Sequence, residues 1–130
     1  MIVGIGTDIV HVSKLKNSLL KWDRKFIRRV FTTNEEMYCR SKADPYPHFA
    51  GRFAAKEATK KALAPLRLSA TPFLSIEVVR GNDGEPKLEF SKKLQKKLAS
   101  IRSHVTLSHH GSYATATVIL EKLRLTGSQK

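Results

Sequence analysis

The stretch HFAGRFAAKEATKKAL, residues 48–63, is predicted to form one long helix because nothing after its glycine breaks a helix. It carries four basic residues but a single acid, Glu57. Residues four apart lie above one another on a helix, so Arg52, Lys56 and Lys60 are predicted to form one basic stripe. Like charges at this spacing repel by about 0.2–0.5 kcal/mol per pair, which raises the question of which anion the stripe binds.

The composition is that of a globular protein. With 130 residues, 41% of them hydrophobic and 27% charged, the chain has room for one modest core. We expect a single domain over residues 1–124 and a flexible tail at 125–130. No apolar run is long enough to span a bilayer, and the short apolar opening does not have the pattern of a signal peptide. The single cysteine, Cys39, excludes an intramolecular disulfide and favours a reducing compartment.

The chain is strongly basic, with 24 Lys and Arg against 11 Asp and Glu and a formal net charge of +13. Such an excess predicts an anionic partner: a nucleic acid, an acidic protein, a phosphorylated small molecule or a membrane surface. Charge alone does not choose among these. Seven basic residues near the amino terminus form either a solvated face or, as we favour, a docking surface for an acidic partner: Lys14, Lys16, Lys21, Arg24, Lys25, Arg28 and Arg29.

The hydrophobic periodicity predicts an α+β domain with a mostly antiparallel sheet packed on one long helix. Other helices are expected over residues 12–22, after Asp23, after a capping box of Thr33 and Glu36, and over KKLQKKLASI with Ser91 as its cap. Alternating apolar residues and glycine-rich turns predict five strands, at 2–10, 74–80, 87–90, 104–108 and 113–120.

Asp8 places a carboxylate inside an apolar strand, on the face that Gly4 and Gly6 leave bare. An unpaired carboxylate is costly to bury, so two interpretations remain open at this point. Asp8 is either a cap or the salt-bridge partner of a nearby lysine, or it is a ligand of a hard cation such as Mg²⁺.

Glu57 shares its helix face with small residues. If that face packs over the glycines of the first strand, Asp8 and Glu57 approach each other, and two neighbouring carboxylates repel unless they share a proton or a cation. The basic residues of the same helix add phosphate-binding groups, including the bidentate fork of Arg52. The alternative for Glu57 is a helix ion pair with Lys60 or Lys61.

Ser108 and His109 end a predicted strand just before Gly111. Hydroxyl and imidazole donors beside an open backbone suit a phosphate contact. The alternative is that His109 is a polar surface residue at the end of a strand.

Three motifs in register are similar to one family. GIGTDIV at 4–10, FAGRFAAKEA at 49–58 with Lys61 following, and VTLSHH at 105–110 resemble the holo-acyl-carrier-protein synthase type of phosphopantetheinyl transferase. The resemblance covers most of the chain in the right order and implies the 4′-phosphopantetheinyl transferase fold. It also implies Mg²⁺-dependent transfer of the 4′-phosphopantetheine arm of coenzyme A to a serine of an acidic apo acyl carrier protein, with release of adenosine 3′,5′-bisphosphate.

The resemblance implies a role for each matching residue. Asp8 and Glu57 would hold Mg²⁺, and Glu57 and Lys61 would be catalytic. The residues implied in coenzyme A binding are Arg52, Lys56, Lys61, Ser108 and His109, with Arg52, Ser108 and His109 at the nucleotide end. Those implied in carrier-protein binding are Lys14, Lys21, Arg24 and Arg28. A metal-bound water, Glu57 and Lys61 stay open as the acceptor of the serine proton.

The resemblance further implies a homotrimer with active sites between protomers and no membrane association. In a eukaryote it implies the mitochondrial matrix, which the basic composition favours, and in a bacterium the cytoplasm. The chain departs from the family pattern at three places. His11 stands where Glu is common, Ala64-Pro65-Leu66 replaces a glycine-containing turn, and His110 stands where an acidic residue is frequent.

Two other functions compete with this interpretation. A small basic nucleic-acid-binding protein would explain the net charge, but the sequence has no zinc-finger spacing or aromatic RNA-binding strand, and Asp8 and Glu57 would have no role. We therefore do not expect nucleic acid as a partner. An inactive homologue that only binds the carrier protein would require that His11 has abolished metal binding.

Overall fold

The computed structural model describes residues 1–124, and the predicted tail at 125–130 lies outside the described residues. The α+β prediction is confirmed by four α-helices and five β-strands within the described range. In chain order they are β1 (Ile2–His11), α1 (Val12–Val30), α2 (Thr33–Arg40), α3 (Tyr46–Leu63), β2 (Ile76–Arg80), β3 (Pro86–Phe90), α4 (Lys92–Lys97), β4 (Ile101–His110) and β5 (Tyr113–Lys122).

The strands form two antiparallel sheets rather than the single sheet that the sequence predicts. Strand β5 lies between β1 and β4 in a three-stranded sheet, and β2 pairs with β3 in a separate hairpin. The turn between β4 and β5 requires a left-handed backbone, which Gly111 supplies at φ +60°. This turn brings the ends of β4 and β5 beside the start of α1, where Val12 N donates to Ser112 O.

The long helix α3 lies directly on the glycine face of β1. A Cβ at Gly4 would lie 2.0 Å from the carbonyl oxygen of Ala62, and one at Gly6 only 1.8 Å from that of Ala58. The two backbones therefore approach as closely as they do only because neither position has a side chain. This packing fixes Asp8, two residues beyond Gly6, on the side of β1 that faces the helix.

The core fills the space between α3, the three-stranded sheet and the other helices. Phe49, Leu63, Val118 and Leu120 are fully buried, and α1 contributes Ile27 to the same cluster. Aromatic rings line one side of this core, with Phe31 and Phe49 in an edge contact at 4.9 Å between centroids.

Helix α1 is continuous from Val12 to Val30, so the prediction of two helices meeting at Asp23 is wrong. The chain has no glycine or proline in this range, and Leu15, Leu19 and Ile27 continue one buried face along it. A residue type that often caps a helix does not end one when the apolar pattern runs through it.

The capping box of α2 lies one residue earlier than predicted. Thr32 is the N-cap, its hydroxyl accepts from Glu35 N at 3.2 Å, and the Glu35 carboxylate accepts from Thr32 N at 2.9 Å. Glu36, the predicted partner, points to the surface and pairs with Arg24 and Arg40 at 3.1 and 2.9 Å.

Helix α4 is shorter than the predicted segment. Ser91 caps it as expected, accepting from Leu94 N at 3.3 Å, but the helix ends at Lys97. Ile101, which the sequence assigns to the helix, instead begins β4 and pairs with Lys122 of β5. Pairing with the neighbouring strand outweighs helical propensity here.

Candidate active site

Asp8 and Lys61 are in direct contact across the β1–α3 interface. The Lys61 ammonium lies 3.0 Å from Asp8 Oδ1 and donates also to the carbonyl oxygen of Thr7 at 2.9 Å. Asp8 is the less exposed partner, since 16% of its side chain is accessible against 56% for Lys61. The salt bridge to a nearby lysine, one of the two interpretations of Asp8, is therefore present, and it joins two of the predicted site residues.

Glu57 and Asp8 line the same open cavity of about 430 Å³ beside α1. Glu57 is half-buried on α3, and none of the ion pairs among residues 1–124 includes it, so the alternative of a pair with Lys60 or Lys61 is not observed. Phe26 and Phe53 form the apolar wall of this cavity, and Lys14 lies at its edge.

The donor set of this cavity fits Mg²⁺. Among the described residues no group of three or more His, Cys, Asp or Glu side chains is close enough to hold a metal alone. Two carboxylates facing one water-accessible cavity suit Mg²⁺, which takes one or two carboxylates and completes its shell with water and substrate phosphates. A closed zinc site, with four protein ligands, does not fit.

A second cavity of about 490 Å³ opens between α3 and the end of β4. It brings together Arg52, Ser108 and His109, the three residues predicted at the nucleotide end, and adds Lys42 and His48. Burial, together with the charges of Arg52 and Lys42, lowers the pKa of His48 below its ordinary value. The cavity is therefore rich in cations and donors and suits an anionic ligand.

Arg52 is the least ordinary residue of this cavity. It is only 7% exposed, none of the ion pairs among the side chains that the structure describes includes it, and its buried Nε lacks a hydrogen-bond partner there. Leaving such a donor unsatisfied costs about 1–3 kcal/mol, more for a charged group. A buried guanidinium that has no anionic partner among the described side chains is typical of a site that binds an anionic ligand.

Lys56 does not contact this cavity, which corrects the prediction that it binds coenzyme A. Its ammonium is fully buried, lies 2.6 Å from Glu35 Oε1 and donates to the carbonyl oxygens of Val30 and Phe73 at 2.6 and 3.1 Å. Burial lowers the pKa of Lys56, against the opposing pull of the Glu35 and Glu77 carboxylates. All three donors of the ammonium are in use, so none is available to a phosphate.

The predicted basic stripe is therefore not one exposed surface. Arg52 faces the second cavity, Lys56 points into the interior, and the Lys60 ammonium lies 4.1 Å from the centroid of the Phe73 ring. Spacing of four residues aligns the Cα atoms of a stripe, but it does not fix which side chains reach solvent.

The predicted docking residues of α1 are all exposed. Lys14, Lys21 and Arg28 recur every seven residues and so share one side of the helix, while Arg24 is paired with Glu36 at 3.1 Å. Because Lys14 also borders the Asp8–Glu57 cavity, this side of α1 is continuous with it.

Two residues near the cavities were not assigned a role from the sequence. His11 is the N-cap of α1, where its Nδ1 accepts from Lys14 N at 3.4 Å, and its ring meets Tyr113 edge-on at 5.0 Å. Tyr38 lies against Arg52, with the guanidinium carbon 4.1 Å from the ring centroid. No sequence signal marks Tyr38, because two of its three cations, Arg52 and Arg80, come from distant parts of the chain.

Comparison with known proteins agrees with this geometry. The model of the 4′-phosphopantetheinyl transferase superfamily matches residues 4–118. A holo-(acyl-carrier-protein) synthase of Protochlamydia amoebophila (strain UWE25) is 37% identical over 119 residues, covering 92% of this chain and 98% of the relative. The crystal structure of holo-(acyl-carrier-protein) synthase from Neisseria meningitidis has a TM-score of 0.80 at 28% identity, covering 94% of this chain and 100% of the other.

A second solved structure is more similar in sequence. It is a holo-(acyl-carrier-protein) synthase from Bacillus anthracis str. Ames in complex with CoA (3′,5′-ADP), and it is 34% identical with a TM-score of 0.75. The alignment covers 94% of this chain and 98% of the other.

The fold and the family match define a transferase, since this chain belongs to the 4′-phosphopantetheinyl transferase superfamily. Within the superfamily it is of the holo-acyl-carrier-protein synthase type, which confirms both the predicted family and its fold. No helix in the described part of the chain is long and apolar enough to cross a membrane. The relatives named above are bacterial, which gives no support to the mitochondrial prediction and agrees with the cytoplasmic alternative.

Proposed function

We propose that this protein catalyses Mg²⁺-dependent transfer of 4′-phosphopantetheine from coenzyme A to a serine of an apo acyl carrier protein, releasing adenosine 3′,5′-bisphosphate. The observation that carries the proposal is the pair of cavities on α3. Glu57 and Asp8 line one, Arg52 lines the other, and Arg52 and Glu57 are five residues, about 7.5 Å, apart along the helix axis. In a trimer with active sites between protomers, one coenzyme A molecule would use the first cavity of one protomer and the second cavity of its neighbour.

The nucleotide end of coenzyme A fits the second cavity. We assign its 3′-phosphate to the buried Arg52 guanidinium, with Ser108 and His109 as further donors. The related Bacillus anthracis protein was solved in complex with CoA (3′,5′-ADP), which supports a nucleotide ligand for this chain as well. A phosphate here would supply the anion that the Arg52 guanidinium lacks among the described side chains.

The reacting pyrophosphate fits the first cavity. Asp8 and Glu57 are the residues that would hold Mg²⁺, which supplies charge neutralisation to phosphate oxygens when it is bound. Lys61, more than half exposed above Asp8, is placed to donate to a phosphate oxygen as a compact cation. Positioning and electrostatic stabilisation dominate such transfers, and these three side chains provide both.

In the reaction, the serine oxygen attacks the phosphorus that carries the pantetheine arm, and the bond from that phosphorus to the oxygen of the nucleotide phosphate breaks. The serine proton must leave to a base. An ammonium has only donors, so Lys61 is not that base either in its ion pair with Asp8 or when it donates to a phosphate oxygen. Glu57, which is outside every ion pair among residues 1–124, and solvent remain as acceptors.

The acidic carrier protein is assigned to the exposed side of α1 that carries Lys14, Lys21 and Arg28, with Arg24 beside it. This side ends at the Asp8–Glu57 cavity, so a partner bound along α1 would bring its serine to the pyrophosphate. Charge complementarity of this kind chiefly accelerates encounter and fixes orientation.

The assembly we propose is a homotrimer with active sites between protomers, in the bacterial cytoplasm. Its support is the outer face of the three-stranded sheet, opposite α3, where Ile5 and Ile9 are each 62% exposed. Apolar side chains of this size on an open sheet face favour burial against another copy.

Intact-protein mass spectrometry tests the reaction directly. An apo acyl carrier protein incubated with this protein, coenzyme A and Mg²⁺ is expected to gain the mass of one phosphopantetheine arm, and EDTA is expected to abolish the gain. A folded protein that leaves several different apo carrier proteins unmodified would overturn the proposal and favour a binding-only homologue.

A further inference from the structure

Tyr38, on α2, is surrounded by cations that come from three other segments. The Arg52 guanidinium carbon lies 4.1 Å from the centroid of its ring, the Lys42 ammonium 4.8 Å and the Arg80 guanidinium carbon 5.2 Å. Arg80 also donates a hydrogen bond to the Tyr38 hydroxyl, and the His48 ring meets the tyrosine ring edge-on at 5.8 Å. One aromatic ring thus contacts three residues that line the nucleotide cavity, namely Lys42, His48 and Arg52.

The charges act on the tyrosine itself. Partial burial alone would raise the pKa of Tyr38, but Arg52, Arg80 and Lys42 together outweigh it and hold the pKa below its ordinary value. The face of an aromatic ring carries negative electrostatic potential, and attraction between that face and a cation strengthens as water is excluded. Of the three cations, Arg52 is both the closest to the ring and the most buried.

The Tyr38 ring gives the Arg52 guanidinium a contact that fixes its orientation. Among the side chains that the structure describes, no ion pair includes Arg52, and its buried Nε has no acceptor. Without an acceptor, only a small free-energy difference favours one rotamer of a long arginine side chain over the others. Contact with the Tyr38 ring therefore limits the guanidinium to one plane without consuming any of its donors.

We propose that Tyr38 is a positioning residue, which holds the Arg52 guanidinium in the orientation that binds the 3′-phosphate of coenzyme A. The inference rests on the proposed function, because that function assigns the phosphate to Arg52. It adds a residue of α2 to a site otherwise built from α3 and β4. Arg80, the last residue of β2, donates a hydrogen bond to the Tyr38 hydroxyl. The β2–β3 hairpin therefore contacts the site indirectly, through Tyr38.

The test separates ring electrostatics from packing. Tyr38→Phe keeps the ring and removes only the hydroxyl, whereas Tyr38→pentafluorophenylalanine keeps the shape and reverses the charge distribution of the ring face. Calorimetry with the full chain would measure the binding of coenzyme A and of 3′-dephospho-coenzyme A to each protein. Tyr46 is a matched control: Lys16 lies 4.9 Å from its ring centroid, and Lys16, unlike Arg52, does not line the nucleotide cavity.

We expect the pentafluoro variant to bind coenzyme A roughly five- to tenfold more weakly and 3′-dephospho-coenzyme A within about twofold of the unmodified protein. Tyr38→Phe should stay within about threefold for coenzyme A, and the same pair of changes at Tyr46 should leave both affinities within twofold. The transfer rate at saturating coenzyme A should also stay within about twofold, because Tyr38 acts on binding of the nucleotide end.

Equal affinities of the two Tyr38 variants, or equal losses for both ligands, would overturn the positioning role. Failure of the proposed nucleotide site has a different signature. In that case the unmodified protein would not prefer coenzyme A over 3′-dephospho-coenzyme A, and Arg52→Gln would leave both affinities unchanged.

Discussion

The salt bridge between Asp8 and Lys61 is compatible with both interpretations of Asp8, as the partner of a lysine and as a ligand of a cation. The ammonium neutralises Asp8 at 3.0 Å, so the strand can carry an acid opposite a helix without an uncompensated charge. More than half of the Lys61 side chain stays exposed, and a pair of this kind is worth at most about 1 kcal/mol. Lys61 can therefore exchange its partner for a phosphate at little cost, while Asp8 becomes available to a cation.

His48 predicts a pH dependence of stability. Its pKa is lowered below 6.5, first by burial and then by Arg52 and Lys42; His109 acts in the same direction and Asp44 opposes it. Between the lowered pKa and the unfolded value near 6.5 the unfolded chain binds more protons, so the free energy of unfolding falls as the pH is lowered through that window.

Chemical denaturation of the wild-type protein and of His48→Gln measures this directly. Between about pH 7.5 and about pH 5 the wild-type protein should lose stability relative to the variant, because glutamine does not titrate. Parallel pH curves for the two proteins would show that the cations around His48 do not act on it as described.

The buried pair of Lys56 and Glu35 predicts a large stability effect and no specific binding effect. Lys56→Met leaves the Glu35 carboxylate buried without its cation, and the loss of one partner of such a pair costs about 3–5 kcal/mol. Lys60→Met is the matched control one turn away, where the loss of the contact with Phe73 should cost less than about 1 kcal/mol.

Thermal and chemical unfolding of both variants would measure the difference, and calorimetry below the unfolding transition would give their affinities for coenzyme A. A Lys56→Met protein that is as stable as wild type but binds coenzyme A much more weakly would restore the original prediction that Lys56 contacts a phosphate.

At the scale of the elements, the close approach of β1 and α3 depends on two missing side chains. Gly6→Ala would place a Cβ 1.8 Å from a helix carbonyl oxygen, so the strand and the helix must separate, at a cost of about 3 kcal/mol or more. Gly51→Ala is the matched control on α3, where the nearest atom is 3.8 Å away and the better helix propensity of alanine should be neutral or stabilising by up to about 1 kcal/mol.

Urea unfolding of the two alanine variants beside the wild-type protein provides the measurement. Equal stability of Gly6→Ala and wild type would mean that β1 and α3 are further apart than the structure places them.

The elements also show what the sequence could and could not predict. The alternation in β1 and the composition of α3 were sufficient to predict both elements, and the glycine motif predicted the face on which they meet. The segment Thr32-Thr33-Asn34-Glu35-Glu36, by contrast, contains the capping-box pattern in two registers. The structure selects the register that buries Glu35 beside Lys56, and this choice depends on a tertiary contact that local sequence does not contain.

Some residues of the candidate site could be predicted from the sequence, and others could not. Residues that lie within a motif, such as Asp8, Glu57 and Arg52, were assigned from the sequence, and the structure brings them to two neighbouring cavities. Lys56 was misassigned because its charge gave no indication that a buried carboxylate would meet it. Tyr38 was missed because Arg52 and Arg80 are brought to it only by the fold.

At the scale of the whole molecule, one face of the three-stranded sheet is covered by α3 and the other carries exposed Ile5 and Ile9. If this face joins the protomers of a trimer, Ile9→Lys places a charge in an apolar interface and should release monomers. Leu20→Lys on α1 is the matched control, since Leu20 is equally exposed but lies away from the sheet.

Light scattering after size exclusion would distinguish the assemblies. The wild-type protein and Leu20→Lys should have about three times the chain mass of 14.6 kDa, and Ile9→Lys about one. A wild-type protein that runs as a monomer at the concentrations used for activity would contradict the trimer.

The most direct test of the central claim, that Glu57 and Asp8 hold the metal at which coenzyme A reacts, is the rate of arm transfer by Glu57→Gln as a function of Mg²⁺ concentration. Glutamine keeps the size of the side chain and removes its charge. Glu57 is half-buried and is in no ion pair among the described side chains, so we expect an unchanged melting temperature. We expect a rate at least about 100-fold below wild type, with saturation shifted to higher Mg²⁺. A rate within about threefold of wild type and an unchanged Mg²⁺ dependence would contradict it.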